Sequence, residues 1–166
     1  NNHTIRKIVI ATGAVTTFAG SAGATGSSNA TGISARFKYP NGITTDGTNL
    51  YVTDENNHTI RKIVISTGVV TTLAGSPGST GSTNGTGTSA RFKYPSGITT
   101  DGKNLYVADG DNNKIRKIVI ATGVVTTFAG STTSGSVDGT GTSARFNTPD
   151  HMTSDGTNLY VVDQQN

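Results

Sequence analysis

The chain has 166 residues, a net charge of +3, no cysteine and 14% charged residues, against the roughly 25% of an ordinary globular domain. The missing cysteines exclude a disulfide framework and a thiolate metal site, and a modest charge spread evenly along the chain argues against a nucleic-acid-binding patch. No apolar run approaches the ~18 residues of a membrane-spanning helix.

The chain repeats itself at a period of 55 residues: 1–55 and 56–110 agree at 43 of 55 positions, and 111–164 repeats the pattern with one residue deleted between Gly130 and Asp138. Self-similarity at this spacing predicts a repeat architecture in which each unit buries its apolar surface against the next. The predicted sheets are offset from the units. A half sheet lies in 1–20, whole ones in about 37–75 and 92–130, and another half in about 146–163, all within one segment, 1–166.

The first apolar run, Ile8-Val9-Ile10, is apolar at every position, the signature of a strand packed on both faces. The long connections, such as Ser76–Tyr94, are rich in Gly, Ser and Thr but end on Ser89-Ala90-Arg91-Phe92-Lys93-Tyr94-Pro95. There Phe92 is expected to plug the space under the loop, Arg91 to pair with a nearby carboxylate or carbonyl, and Pro95 to fix the path into the next sheet. Arg36-Phe37 and Arg145-Phe146 occupy the same place and are expected, with Arg91-Phe92, to anchor one sheet to the next. Gly97–Thr100 is the first strand of the best-defined sheet, and Asp101-Gly102 turns the chain as a hairpin. Leu105–Asp109, Ile115–Ile120 and Val124–Ala129 follow as the second, third and fourth strands, with turns at Gly110–Asn113 and Ala121–Gly123. The result is an antiparallel meander, and the frequent Gly and Thr exclude a helical stripe. The fold class is all-β, a propeller of four-stranded antiparallel sheets fanned around an axis.

These strings resemble the NHL-repeat family of β-propellers. The resemblance rests on Arg36-Phe37…Pro40…Gly42-Ile43 and its copy from Arg91, on Asn49–Asp54, Asn104–Asp109 and Asn158–Asp163, on Asn57–Ile63, and on Thr67–Gly75. Two departures stand out: His3 and His58 become Asn113, and Gly42-Ile43 becomes His151-Met152. Propellers of this kind close with about six blades. The resemblance therefore implies that this chain is half a ring, either one half of a homodimer in which the strands ending at Asp163 meet the partner's strands from Ile5, or a segment of a longer propeller. The chain opens on Asn1 in mid-pattern, which fits a processed or excised piece.

Asp54, Asp109 and Asp163 close the second strand of each unit. A ring of carboxylates could bind a cation, but one carboxylate per sheet lacks the clustered oxygens of a Ca²⁺ site, so they are read as side-chain caps of the following turn. Arg6, Arg61 and Arg116, together with His151, are the candidate interaction surface. His3, His58 and His151 lie in different sheets, so three or four ligands do not meet at one locus as zinc requires. Asp138-Gly139, Asn29 and Asn84-Gly85 read as turn residues. No catalytic residue, metal site or cofactor is expected.

The function expected is a non-enzymatic scaffold binding a protein, glycan or other macromolecule through repeated loops, with self-association, in a secreted or cell-surface bacterial protein. Two alternatives stay open: a propeller lyase or hydrolase with a central-channel site, and an engineered or recently amplified repeat without an evolved ligand.

Overall fold

A computed structural model describes residues 2–166. The architecture is all-β, as expected, with thirteen strands in four antiparallel sheets among the described residues. The first sheet holds two strands, β1 (Ile5–Ile8) and β2 (Val15–Ala19). The second is a four-stranded meander of β3 (Pro40–Thr45), β4 (Asn49–Asp54), β5 (Thr59–Val64) and β6 (Val70–Ala74). The third repeats it as β8 (Pro95–Thr100), β9 (Asn104–Asp109), β10 (Lys114–Val119) and β11 (Val124–Gly130). The fourth again has two strands, β12 (Pro149–Ser154) and β13 (Leu159–Asp163).

The long connections are more ordered than their Gly/Ser/Thr composition suggests. Each contains a 3-10 turn, Gly32–Ser34, Gly87–Ser89 and Gly141–Ser143. The second also contributes a two-residue strand, β7 (Gly85–Thr86), which pairs with β11 and gives the third sheet a fifth strand. In the second sheet the matching contact is a single bridge, Thr31 to Val69.

The hairpins form where Asp-Gly predicts them. Asp101 accepts the backbone N–H groups of Lys103 and Asn104 at 2.8 and 2.6 Å, while Gly102 takes the positive φ of +85° that a side chain resists. Asp46 and Asp155 repeat the arrangement, and each of the three carboxylates also accepts the hydroxyl of a tyrosine on the following strand: Tyr51, Tyr106 or Tyr160.

Successive sheets pack face to face, with the first strands β3, β8 and β12 side by side. Buried apolar side chains form two clusters, between the first and second sheets and between the second and third. One holds Ile5, Ala19, Phe37, Val52, Ile63 and Val70; the other holds Tyr51, Ile60, Phe92, Leu105, Val107 and Ile118. This is why the strands carry apolar residues on both faces. Phe37 and Phe92 are fully buried beneath the loops, each touching two sheets.

Candidate functional site

The most tightly built polar arrangement is internal. At the end of β4 the Asp54 Oδ1 accepts the Lys38 backbone N–H at 2.7 Å, while Oδ2 accepts from Asn57 Nδ2 at 2.7 Å and Arg61 Nη1 at 2.8 Å. The guanidinium also donates to the carbonyls of Arg36 and Ser28 and to Asn29 Oδ1, and lies 5.1 Å from the centre of the Phe37 ring. One repeat later Asp109, Arg116, Asn112, Asn84 and Phe92 reproduce the whole set.

This geometry corrects two expectations. Arg61 and Arg116 are wholly shielded from solvent and form no interaction surface, because each tethers the incoming loop to its sheet. Asp54 and Asp109 give no side-chain cap to the 3-10 turns Glu55–Asn57 and Gly110–Asn112; their oxygens are taken by the arginine, the Asn side chain and a distant backbone N–H. Burial pushes both carboxyls upward, against the pull of those donors. Asp163 follows the same plan, accepting the Asn147 N–H at 2.7 Å and the Asn166 amide.

The Arg-Phe pairs divide their roles. Phe37 and Phe92 carry the contact between sheets, but Arg36, Arg91 and Arg145 direct their Nη1 atoms to carbonyls of their own 3-10 turns, such as Ile33 and Ala35 for Arg36. They fasten the loop to itself rather than one sheet to the next. The crossing bonds come instead from Arg61 and Arg116, with Asn29 and Asn84, read from sequence as turn residues, as their acceptors. The residues around Asn29 and Asn84 give that role no local signature, since the partner arginine lies 32 residues away in each case.

On the face where the 3-10 turns after β4 and β9 emerge, the histidines serve the backbone. His3 Nδ1 accepts the Tyr39 N–H at 3.1 Å and His58 Nδ1 accepts the Tyr94 N–H at 3.2 Å, each in left-handed backbone at φ +53° and +57°. Asn113 replaces them in the third unit without loss of the bond, its Oδ1 accepting from Thr148 at 3.0 Å. Tyr39 and Tyr94 stack edge-on against the two imidazoles and stay partly exposed, at 43% and 40%. Each rims a shallow polar depression. The first is lined by His3, Tyr39, Asn41 and Glu55, the next by Tyr94, Ser96, Asp111 and Asp150, with Asn41 and Glu55 shared between them.

His151 is exposed, its Nδ1 2.8 Å from Asp150 Oδ2. It stands where the earlier units have Gly42 and Gly97, and those glycines let neighbouring first strands approach very closely. A Cβ on Gly42 would overlap the Ser96 carbonyl oxygen, and one on Gly97 would overlap that of Asp150. Arg6 is exposed on β1. Among the described residues no three His, Cys, Asp or Glu side chains stand together in a way that could hold a metal ion.

Comparison with known proteins agrees with this build. The family model described as "NHL repeat" matches residues 37–63, the loop-end Phe through β5. Two curated proteins named "NHL repeat-containing protein 2", from Bos taurus and Homo sapiens, are each 32% identical over 164 residues, covering 90% of this chain and 23% of their own length. The chain therefore spans about a quarter of these relatives. Among solved structures, a structural genomics protein of unknown function from Bacteroides thetaiotaomicron superposes with a TM-score of 0.79 at 27% identity, over 98% of this chain and 40% of that one. An auxiliary nutrient binding protein from the same organism gives 0.75 at 22% identity, over 99% and 41%, a likeness of fold. A virginiamycin B lyase from Staphylococcus aureus gives 0.57 at 20% identity, over 98% and 42%, again a likeness of fold.

Proposed function

Because this chain belongs to the NHL-repeat family, we propose that it is a non-enzymatic propeller scaffold that binds a macromolecule through neighbouring depressions on one face of the ring. The carrying observation is that Tyr39 and Tyr94, each stacked edge-on against a histidine, rim adjoining depressions, while the lining changes from Asn41 and Glu55 at the first to Ser96, Gly110 and Asp150 at the second. Sites repeated at a fixed spacing on a rigid frame gain avidity from many weak contacts without any one being tight. Partly exposed tyrosines suit that use, since the ring gives contact area at low entropic cost and the hydroxyl a polar handle.

The buried pairs Asp54–Arg61 and Asp109–Arg116 are engaged in structural bonds and take no part in this face. Closure of the ring belongs to the same reading: two whole sheets and two two-stranded ones supply about half of a ring of roughly six blades, completed by a second copy or by further repeats of a longer chain. Low charge and the absence of cysteine suit a secreted or surface-exposed bacterial location.

Affinity electrophoresis in gels containing soluble mannan, xylan or alginate tests the binding role, with product release followed in parallel. The expected result is retardation that the double variant Tyr39→Ala/Tyr94→Ala loses, with no cleavage product. Release of reducing ends or unsaturated sugars would replace the scaffold reading with lyase or hydrolase chemistry.

A further inference from the structure

The depression rimmed by Tyr94 departs from the repeat in a definite way. It lies where β3, β8 and β12 pack side by side, so residues of three successive units meet in it. The first two units agree at 43 of 55 positions, yet the side chains that line this depression change at every step. One position runs from Asn41 to Ser96 to Asp150, another from Glu55 to Gly110 to Gln164.

Gly110 opens the gap. It begins the 3-10 turn Gly110–Asn112 as Glu55 begins Glu55–Asn57, in backbone that any residue adopts. A Cβ there would stand 3.2 Å from the Tyr94 carbonyl oxygen, 3.5 Å from that of Pro149 and 3.8 Å from Ser96 Oγ. Three oxygens thus wall the place where a side chain is missing. Ser96 is only 9% exposed; its hydroxyl points to the Pro149 carbonyl at 3.3 Å, and among the described residues no group donates to its oxygen. Three carboxylates stand at the rim, each with one oxygen engaged: Glu55 by Asn41, Asp111 by Lys93 and Asp150 by His151.

We propose that this depression holds one ring of an amino-sugar polymer, with its protonated primary amine in the Gly110 gap and the ring against Tyr94. The proposal rests on the scaffold reading and names its ligand class. A primary ammonium has three N–H donors and no acceptor, which matches three oxygens around one gap. Among the described residues the carboxylates do not gather closely enough to hold one metal ion. Spread around the rim, they accept from the ring hydroxyls and offset the buried positive charge. The depression holds about 240 Å³, less than the roughly 300–1,000 Å³ of sites that enclose a whole drug-sized ligand, so it takes one residue of a chain. A lysine side chain would bring the same ammonium, but its long methylene stem packs along apolar surface, and this lining is mostly polar.

Isothermal titration calorimetry at pH 6 with tetramers of glucosamine, N-acetylglucosamine and glucose tests the assignment, since with the same linkage these differ only at the second carbon of each ring. The glucosamine tetramer is expected to bind about tenfold or more tightly than the other two, as one charge-assisted hydrogen bond provides. The net charge of +3 opposes a polycation, so overall attraction does not supply that preference. Gly110→Ala, which fills the gap, should erase it, with circular dichroism checking that the fold persists. Asp111→Asn, at an exposed position, should weaken glucosamine binding by about threefold and leave the glucose tetramer unaffected. Equal binding of the three tetramers, or an undiminished preference in Gly110→Ala, would overturn the proposal. So would a short lysine peptide that outcompetes the glucosamine tetramer, which would put a basic protein segment in the gap. Mannan or xylan binding that depends on Tyr39 and Tyr94, without any preference for the amine, would sink the amino-sugar assignment and leave the scaffold reading intact. Cleavage of a tetramer would overturn both.

Discussion

Arg61 and Asp54 lie seven residues apart, meet at 2.8 Å with both side chains at 0% exposure, and together tie a loop that begins more than thirty residues earlier to the middle of its sheet. Such a pair stabilises mainly by being complete. Its mutual attraction roughly offsets the desolvation of two charges, whereas removing one partner leaves the other buried and unmatched.

Asp54→Leu is therefore expected to cost about 3–5 kcal/mol, and Arg61→Met a similar amount. The double variant Asp54→Leu/Arg61→Met should recover part of that loss. Urea denaturation of the four proteins, read as a double-mutant cycle, checks it.

His58 predicts a pH dependence. Its Nδ1 must stay unprotonated to accept the Tyr94 N–H, and burial, with Lys38 and Lys93 nearby, holds its pKa below the ordinary value of 6.5. A base with a lowered folded pKa contributes stability that is fully present above 6.5 and is lost as pH falls below it toward the folded value. His58→Asn should remove this component while keeping the fold, because Asn113 already makes the same bond from left-handed backbone. Thermal melts between pH 7.5 and 5 would show a slope in the parent chain that is smaller in the variant.

The hairpin aspartates act at lower pH. At Asp101 burial pushes upward, but the Asn104 side chain and the N–H groups of Asn104 and Lys103 outweigh it and hold the pKa at about 2, below 3.8. Asp46 is lowered in the same way. The stability this supplies is present above 3.8 and fades as pH falls toward about 2. Asp46→Asn/Asp101→Asn should flatten the parent's loss of stability in that window, as read from urea midpoints at pH 4.5 and 2.5.

Gly97→Ala should destabilise the chain by about 1–3 kcal/mol, because the added methyl meets the Asp150 backbone rather than a movable side chain. Chemical denaturation of the parent chain and the variant measures the loss.

The period of 55 residues and the strings from Asn104 to Ala129 were enough to set the strand order, the antiparallel meander and the burial of Phe37 and Phe92. These are consequences of local chemistry: β-prone runs, Asp-Gly turns and apolar residues that need a cover on each face. The fate of the charged side chains was not legible in the same way. Arg61 reads as a strand arginine beside a lysine, and only the arrival of Ser28, Asn29 and Phe37 over the same sheet makes it a buried tether. Burial and pairing depend on what packs from distant sequence, so the packed structure alone separates the sealed Arg61 and Arg116 from the exposed Arg6, three residues with identical neighbours in the chain.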